Sequence, residues 1–413
     1  MKLLSQNALI MSNGFFKSVC GDLKLLHLVW EPATSVVGGL GVAVAGLCDA
    51  LSAVDGVSVD MIFPSIDKDL AGQSSFTMNS YALKIDANEA LRLRESVLAE
   101  AELGASLADI DSKVVSFTKK VSAQMLQCQK NYSVVHAHDW MTAAAGVWVK
   151  RSMKVPMILH IHSTHMDREG AHAMGAVYEH EKWAMQQADM IIAVSAFTKA
   201  LIIKRYGISE DKVRVILNAG GTALQHDEVE MIQKDSAPMV LFAGRLEPQK
   251  SPIFALEIMI NTLRRMKDAR GVIAGGGDML EPIRKIVKFK KMEHRIEVLG
   301  RIPQSHIRAV YQSASVIVMP SLSEPFGLVA IEAAREGVAV MLSDRCGASE
   351  LMSSAVVNTL FDMEAWTDGV IELLENPHLR ELQVKKQLDD VGSYSWKDVS
   401  VKVLDLVTEI TTF

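Results

Sequence analysis

The sequence predicts an α/β protein with two Rossmann-like domains, each built on a doubly wound parallel sheet, facing a cleft. Short apolar runs alternate with segments of helix length along the chain. This alternation is typical of parallel sheets covered by helices on both faces. A polar, glycine-containing stretch at 219–237 interrupts the alternation, which then restarts. We therefore predict a first domain at 1–220, a linker at 221–237 and a second domain at 238–393.

In the first domain, each apolar run predicts a strand and each longer segment between runs predicts a helix. The strands are expected at 23–30, 57–64, 134–140, 155–162, 188–195 and 212–218, and the helices at 37–54, 88–103, 107–128, 141–152, 174–187 and 197–206. A polar loop is expected between 162 and 174. The region 66–128 has the weakest pattern.

In the second domain, the same alternation predicts five strands with helices between them. The strands are expected at 239–244, 270–275, 295–300, 314–320 and 338–343. The tail 394–413 carries apolar residues at helical spacing, among them Trp396, Val399 and Leu406. It predicts a closing helix that packs back on the first domain or bridges both.

Composition narrows the class of protein. The 413 residues include 49% hydrophobic residues and carry a formal net charge of −6, so a disordered chain and a general nucleic-acid binder are not expected. The four cysteines are dispersed, which argues against a disulfide framework or a zinc knot. No apolar run has the length of a membrane helix, and polar residues interrupt the N-terminal 20 residues. We expect a cytoplasmic protein without a transmembrane segment.

Gly38, Gly39 and Gly41 follow the first predicted strand and open a helix. Glycine lets the backbone approach a ligand closely, and a helix N-terminus attracts anions. A tight strand-to-helix turn also needs glycine, so the feature alone is weak. The spacing is not G-x-G-x-x-G, which argues against a dinucleotide site.

Arg245 and Lys250 lie five residues apart in the loop after the first strand of the second domain. Arginine offers a bidentate fork and lysine a point charge, a combination that suits a diphosphate. The alternative interpretation is a solvated loop with two ordinary charges.

Glu324 and Glu332 lie on either side of a helix start predicted near Leu328. Pro325 and Gly327 favour a turn before that helix, whose first N–H groups are free to bind an anion. Two carboxylates beside such a start suit a ligand with hydroxyls next to its phosphates. The alternative is one carboxylate at a helix start and one on the surface.

The histidines occur in two H-x-H pairs at predicted strand ends. His136 and His138 precede Asp139, and His160 and His162 end the next strand. Strand alternation places the members of each pair on one face, where they could hold a metal. The simpler interpretation is one packed and one cleft-facing histidine in each pair, and we predict no metal site.

These segments resemble retaining glycosyltransferases of family 4. GRLEPQKS at 244–251, AGGGDML at 274–280, LGRIP at 299–303 and SLSEPFGLVAIEA at 321–333 occur in the family's order and spacing. In the first half, GGLG, HAHDW and HIHST resemble the glycogen and starch synthase branch. The resemblance covers about residues 23–410.

The resemblance implies a GT-B fold, with the acceptor mainly on the first domain and the donor mainly on the second. It implies transfer of a hexose from a UDP- or ADP-linked sugar to a hydroxyl of a glycan, glycolipid or small acceptor. The anomeric configuration would be retained, and no metal or other cofactor is implied. The acceptor would attack on the front face while the diphosphate leaves, and Asp139 is the only residue kept open as a covalent nucleophile.

The resemblance also implies a role for each site residue. Arg245 and Lys250 would hold the diphosphate, Glu332 the ribose hydroxyls, and His162 would lie beside the donor sugar with Asp139 near the acceptor. The rest of the implied donor site consists of Glu324 with Phe326, Gly327, Leu328 and Val329 at the sugar and phosphates, Gly277, Met279, Leu280, Arg301 and Ile302 at the base, and Gly39 and Gly41 at the diphosphate.

Two positions depart from the glycogen synthase pattern. Val36 and Val42 stand where those enzymes usually carry lysine and aspartate, and the chain is shorter than theirs. Both differences weaken the case for glucan elongation from ADP-glucose in particular. No motif identifies the acceptor, which we expect to bind the region 66–128.

Three other functions compete with this interpretation. Sugar-nucleotide epimerases share the fold but do not usually combine the Glu-x7-Glu segment with the Arg–Lys loop. A non-catalytic subunit that stabilises a partner tends to lose the donor residues, which are all present here. A metal hydrolase using the H-x-H pairs would more often be a closed barrel.

Overall fold

The structure is a computed structural model that describes residues 22–31, 39–65, 79–84, 110–170, 173–220 and 237–412. Contacts divide the chain into two units. The first comprises Met1–Asn218 with Trp396–Phe413, and the second comprises Ala219–Ser395. Each unit is built on its own parallel sheet.

The first unit contains a seven-stranded sheet in its described part. The strands are β1 (Leu23–Leu28), β2 (Val57–Ser65), β3 (Asn79–Lys84), β4 (Val134–His138), β5 (Met157–Ile161), β6 (Met190–Ala193) and β7 (Val213–Val215). All neighbours pair in parallel, in the order β3-β2-β1-β4-β5-β6-β7. The order reverses between β1 and β4, so their carboxyl ends form the switch point at which such sheets bind ligands.

Six helices connect these strands in the described residues. They are α1 (Gly39–Ser52), α2 (Ser112–Leu126), α3 (Trp140–Met153), α4 (His165–Glu169), α5 (Ala176–Gln187) and α6 (Ala196–Leu201), the last continued by a π-helical turn at Ile202–Tyr206. The Asp111 carboxylate caps α2 by accepting from the Lys113 N–H at 2.7 Å.

The second unit contains a six-stranded parallel sheet. Its strands are β8 (Met239–Ala243), β9 (Arg270–Ala274), β10 (Ile296–Gly300), β11 (Val316–Met319), β12 (Ala339–Ser343) and β13 (Val356–Asn358), in the order β10-β9-β8-β11-β12-β13. Its helices are α7 (Pro252–Arg265), α8 (Leu280–Phe289), α9 (Gln304–Ser313), α10 (Leu328–Arg335), α11 (Met363–Glu375) and α12 (Pro377–Gly392). The switch point here lies between β8 and β11.

The closing helix α13 (Trp396–Thr411) packs against α1 in the first unit. The indole of Trp396 lies over Gly46, where an added Cβ would come within 2.4 Å of the ring. The small residue in α1 and the large one in α13 therefore fit each other.

The core explains the apolar runs in the sequence. Strands β4, β5, β8, β11 and β12 are buried along their whole length. Strands covered on both sides read as continuous hydrophobic runs. Polar residues inside such strands are therefore exceptional, and in the first unit they are mostly histidines.

The predicted fold class is confirmed as two parallel sheets with intervening helices, but several elements differ. The strands β3 and β13 were not predicted, because NSYALK and VVN lack a clear apolar run and owe their conformation to pairing with β2 and β12. The helix α4 lies in the predicted polar loop. The predicted helix at 88–103 lies outside the described residues. Within the described part of the chain, no helix has both the length and the apolar character needed to cross a bilayer.

Candidate functional site

Five histidines meet at the switch point of the first sheet. His27 lies on β1, His136 and His138 lie on β4, His160 lies on β5, and His162 follows β5 directly. Strand pairing sets His27 beside His136 and His138 beside His160, so their side chains share one face. We call these five residues the imidazole cluster.

The ring nitrogens of the imidazole cluster form two hydrogen-bonded rows. In the longer row, His27 Nδ1 lies 3.0 Å from His138 Nε2, and His138 Nδ1 lies 2.9 Å from His162 Nε2. In the shorter row, His136 Nε2 lies 3.3 Å from His160 Nδ1. The rows stack on each other, with 4.5 Å between the ring centroids of His136 and His138. The centroids of His160 and His162 are 4.2 Å apart.

Burial keeps these rings neutral. Desolvation lowers the pKa of His27 and of His162 to about 3. It also lowers the pKa of the other three well below the usual value, and neighbouring imidazoles add to that effect. Within the described residues, one nitrogen of each ring except His138 is buried without a hydrogen-bond partner, namely His27 Nε2, His136 Nδ1, His160 Nε2 and His162 Nδ1. A bound ligand would satisfy such an atom.

The interpretation of each H-x-H pair as one packed and one cleft-facing histidine is wrong for the first pair. In the second pair, His160 is buried and His162 is partly exposed. His136 and His138 are both buried, because β4 is an interior strand flanked by β1 and β5 and His27 covers it from β1.

Two triples of the imidazole cluster bring ring nitrogens within 4.8 Å of one another. They are His27, His136 and His138, and His138, His160 and His162. Neutral imidazoles are good ligands for zinc and related metals. The ligands of a tetrahedral zinc at about 2.0–2.1 Å stand about 3.3 Å apart. The separations of 2.9 and 3.0 Å between ring nitrogens in the longer row are shorter than this zinc ligand separation. They are the distances of N–H···N hydrogen bonds.

Asp139 holds the backbone that carries His162. It follows β4 with φ at 57° and ψ at 177°, a backbone region nearly confined to glycine that costs another residue about 1–3 kcal/mol. Its buried Oδ1 accepts from the backbone N–H of His162 at 2.7 Å and of Ser163 at 3.3 Å. Burial raises its pKa to about 7, opposed by Arg168 and by these N–H groups. The carboxylate expected near the acceptor is thus engaged with the protein's own backbone.

Sequence reasoning missed Glu181, which anchors the loop after β5 from α5. Its buried carboxylate accepts from the backbone N–H of His165 at 2.9 Å and from the Tyr206 hydroxyl, and it pairs with Arg168 at 3.4 Å. Burial raises the pKa of Glu181 to about 7. No local pattern separates Glu181 from the exposed Glu179 in the same helix.

His27 was also missed, although a signal existed. A single histidine interrupts the otherwise apolar part of LKLLHLVW. Buried parallel strands carry polar side chains only where those find partners.

In the second unit, glycines shape the loops after β8 and β9. Gly244, Gly275 and Gly277 have φ of 142°, 153° and 147°. A Cβ on Gly275 would lie 1.7 Å from the Gly244 oxygen, and one on Gly277 would lie 2.6 Å from the Leu246 oxygen. The Met279 N–H donates to that Leu246 oxygen at 3.0 Å. The two loops therefore pack backbone against backbone, which only glycine permits here.

Lys250 and Glu324 form an ion pair across the switch point of the second sheet. Their side chains are only 16% and 8% exposed, and we call them the loop pair. The Ser321 hydroxyl also donates to the Glu324 carboxylate, at 3.4 Å. The Gln249 amide donates to the Ser323 oxygen at 2.9 Å and so joins the loop after β8 to the loop after β11.

Arg245 lies on the same loop as Lys250 but has a different partner. Its guanidinium pairs with Glu247 at 2.7 Å, and its side chain is 54% exposed. The predicted Arg–Lys pair thus consists of one largely buried cation and one exposed cation.

Helix α10 begins at Leu328, as predicted, after Gly327 with φ at 102° and without a side-chain cap. Phe326 before it is buried. Glu332, one turn into the helix, is partly buried, and the Tyr311 hydroxyl donates to it at 3.1 Å. Burial raises the pKa of Glu332 to about 7, opposed by that hydrogen bond.

The other predicted site residues fall at the same strand ends or in the first unit. Leu280 begins α8, Arg301 and Ile302 follow β10, Val329 is the second residue of α10, and Gly39 and Gly41 lie in the first turn of α1. Gly38 lies outside the described residues.

Two family models match the two halves of the chain. Glycosyltransferase Family 4 matches residues 37–219, and Glycosyl transferases group 1 matches residues 227–388. Together they span most of the sequence.

Curated relatives are similar over most of their length. An uncharacterized glycosyltransferase of Methanocaldococcus jannaschii, MJ1607, is 28% identical over 406 residues, which are 93% of this chain and 97% of the relative. A D-inositol 3-phosphate glycosyltransferase of Nocardia farcinica is 26% identical over 339 residues, covering 76% of this chain and 74% of the relative.

Solved structures share the fold. Sucrose-phosphate synthase of Thermosynechococcus elongatus has a TM-score of 0.75 at 20% identity, covering 94% of this chain and 99% of that one. The catalytic domain of starch synthase IV of Arabidopsis thaliana has a TM-score of 0.70 at 17% identity, covering 95% and 100%. These likenesses confirm the predicted GT-B class. With both halves matched by the family models, the chain belongs to glycosyltransferase family 4.

Proposed function

We propose that this glycosyltransferase moves a hexose from a UDP- or ADP-linked sugar to a hydroxyl of a glycan, a glycolipid or a small acceptor. We further propose that the anomeric configuration is retained and that no metal ion is required. The observation that carries the proposal is the loop pair, a lysine and a glutamate held together at a sheet switch point next to the uncapped start of α10.

Lys250 and Arg245 would bind the donor diphosphate. An ammonium group has three donors, so Lys250 can keep its contact with Glu324 and still donate to a phosphate oxygen. Arg245 is exposed and can exchange Glu247 for a bidentate phosphate contact. The uncapped N–H groups at Leu328 and Val329 add a partial positive charge. Glu324 would accept from a hydroxyl of the sugar.

Glu332 would bind the ribose. Its Oε2 already accepts from Tyr311, which fixes the carboxylate and leaves the other oxygen for a ribose hydroxyl. Turn residues Gly277 and Met279 with Arg301 would frame the base.

The transfer step needs no covalent intermediate. The acceptor oxygen forms its bond to the anomeric carbon while the bond from that carbon to the diphosphate oxygen breaks on the same face. The acceptor proton passes to the leaving diphosphate. Lys250 and Arg245 would stabilise the charge that develops there, a role that divalent ions fill in other enzymes. The carboxylate of Asp139 is buried and bonded to backbone N–H groups, which argues against its use as a nucleophile.

Structures of related fold support a nucleotide donor. Anabaena HepE, with a TM-score of 0.67, 15% identity and coverage of 94% of this chain and all of that one, was solved in complex with UDP. The starch synthase IV domain was solved with ADP and acarbose.

A thermal-shift panel of UDP, ADP, GDP and their common sugars, each with and without EDTA, tests the proposal. A ligand at 100 times its Kd adds about 2.7 kcal/mol and raises the Tm by several degrees. We expect the UDP or the ADP series to raise the Tm equally with and without EDTA. NMR of the product's anomeric proton then reports retention. If no nucleotide shifts the Tm, the alternative of a non-catalytic subunit replaces this proposal.

A further inference from the structure

The longer row of the imidazole cluster links the protein interior to His162. His27 and His138 are fully buried, and together with His162 they form the row's two hydrogen bonds, of 3.0 and 2.9 Å. His138 is the middle ring, and both of its nitrogens are used. The row therefore ends in two free nitrogens, Nε2 of His27 and Nδ1 of His162, which have no partner in the described part of the chain.

The proton count of neutral imidazoles restricts this row to two arrangements. Each neutral ring carries one N–H and one lone pair. If His138 is protonated at Nδ1, it donates to His162 Nε2 and accepts from His27 Nδ1. If it is protonated at Nε2, it donates to His27 Nδ1 and accepts from His162 Nε2. All three rings are therefore protonated at Nδ1 or all three at Nε2, and the choice is made for the whole row at once.

The buried end of the row favours protonation at Nδ1. In the Nε2 arrangement, His27 would keep an N–H in the interior without an acceptor among the described residues. Orphaned buried N–H groups are rarer in proteins than unsatisfied acceptors. In the Nδ1 arrangement, that end carries only a lone pair, and the N–H without a partner lies on His162 Nδ1. That atom is also buried, but it belongs to the one partly exposed residue of the row, where an oxygen of a bound donor can accept from it.

We infer that His27 and His138 are positioning residues that set the tautomer of His162, so that its Nδ1–H is available to an oxygen of the bound donor. The inference rests on the proposed function and on the expectation from the family resemblance that His162 lies beside the donor sugar. The shorter row, His136 with His160, has no hydrogen bond to His162 and would not set its tautomer.

The direct test is NMR of the whole protein labelled with ¹⁵N-histidine, with and without the nucleotide sugar that binds. Two-bond ¹⁵N–¹H correlations identify the protonated nitrogen of each ring, and single-histidine variants assign the signals. We expect protonation at Nδ1 in His27, His138 and His162 with donor bound. Protonation of His162 at Nε2, or mixed tautomers within the row, would overturn the inference whether or not sugar is transferred.

Variants separate this role from packing. His27→Leu removes the donor to His138, whereas His27→Asn places an amide N–H near the position of Nδ1. Loss of one such hydrogen bond corresponds to a fall in kcat of about 2- to 12-fold. We expect that fall in His27→Leu with mixed His162 tautomers, and recovery of most of it in His27→Asn.

The matched control is His136→Leu, a buried imidazole on the same sheet face but in the shorter row. It should leave the His162 tautomer unchanged. Equal losses of kcat in His136→Leu and His27→Leu, with the tautomer unchanged in both, would show that the row contributes only to packing.

Metal analysis of the purified protein provides a second check. If the unaltered protein contains one equivalent of zinc and His27→Leu does not, these nitrogens are zinc ligands. That result would contradict the inference. If the unaltered protein transfers no sugar, the proposed function fails, and the NMR result still decides on the tautomer.

Discussion

The two units place polar side chains at the same topological position but build it from different materials. In the first unit the groups are neutral imidazoles, most of them within strands, and sheet pairing sets their separations. In the second unit the groups are charged, they lie on loops after the strands, and glycine turns set their positions. A strand-borne site depends on burial and ring hydrogen bonds, whereas a loop-borne site depends on backbone conformations that few residues adopt.

This difference indicates which changes should damage each site. Perturbing a glycine turn should damage the loop pair without touching the imidazole cluster. A change of pH should act in opposite directions on the free energy of unfolding of the two units, because burial lowers the pKa of the imidazoles and raises the pKa of Glu332.

The largest effect is expected from Gly275→Ala. Its φ of 153° is already unfavourable for alanine, and the new Cβ would lie 1.7 Å from the Gly244 oxygen. We expect the second unit to lose at least about 3 kcal/mol of unfolding free energy and to lose nucleotide binding. The control is Gly244→Ala, where φ is 142° but no atom lies within 4 Å, so only about 1–2 kcal/mol should be lost. Equal losses by calorimetry would show that the backbone packing of the loops is not the cause.

Lys250→Ala should have the next largest effect. Losing a charged phosphate contact costs about 1.5–3 kcal/mol, so turnover should fall about 10- to 150-fold. Arg245→Ala should lower it at least tenfold for the same reason. Arg265→Ala is the control, since Arg265 is an exposed cation paired with Asp368 in the same unit. Unchanged turnover in both Lys250→Ala and Arg245→Ala would refute the diphosphate assignment.

The stability of the first unit at acid pH tests whether the imidazole cluster is neutral in the folded protein. The folded pKa of His27 is about 3, below the ordinary 6.5, so the unfolded chain binds one more proton there between these values. Unfolding free energy is therefore lost as pH falls through 6.5. His27→Leu should reduce the slope between pH 6 and 4 by about 1.4 kcal/mol per pH unit.

That slope is measurable by urea unfolding followed by tryptophan fluorescence, because five of the six tryptophans lie in the first unit. His378→Leu, at an exposed position of α12, is the control. A slope change as large in His378→Leu as in His27→Leu would contradict the prediction.

The smallest effect is expected at Glu332. Its pKa of about 7 means that it is protonated below pH 7, when it no longer offers a carboxylate to a ribose hydroxyl. The difference between a charged and a neutral hydrogen bond is about 1 kcal/mol, so nucleotide affinity should fall about fivefold from pH 8 to pH 6. Isothermal titration calorimetry measures the nucleotide affinity at each pH. The same measurement on Glu332→Gln corrects for the protonation of the nucleotide phosphate itself. A variant with the unaltered protein's pH dependence would exclude Glu332 as the titrating group.

Features that depend on neighbours along the chain were determined by the sequence alone. Alternating apolar runs and helical segments predicted both parallel sheets, because a strand or a helix is specified by the residues within it. The turn at Pro325 and Gly327 predicted the start of α10 at Leu328, and period-two alternation placed each H-x-H pair on one face.

Only the tertiary structure decided which strand ends meet. His27 joins His138 across 111 residues, and Lys250 reaches Glu324 across 74. The Asp139 carboxylate accepts from the backbone N–H of His162, which lies on the next strand end. The edge strands β3 and β13 formed through pairing and not through their own pattern. Local periodicity depends on residues that are adjacent in the sequence, whereas strand order depends on the burial and hydrogen bonding of the whole sheet. The contacts of His27 with His138 and of Lys250 with Glu324 form only once that order is set.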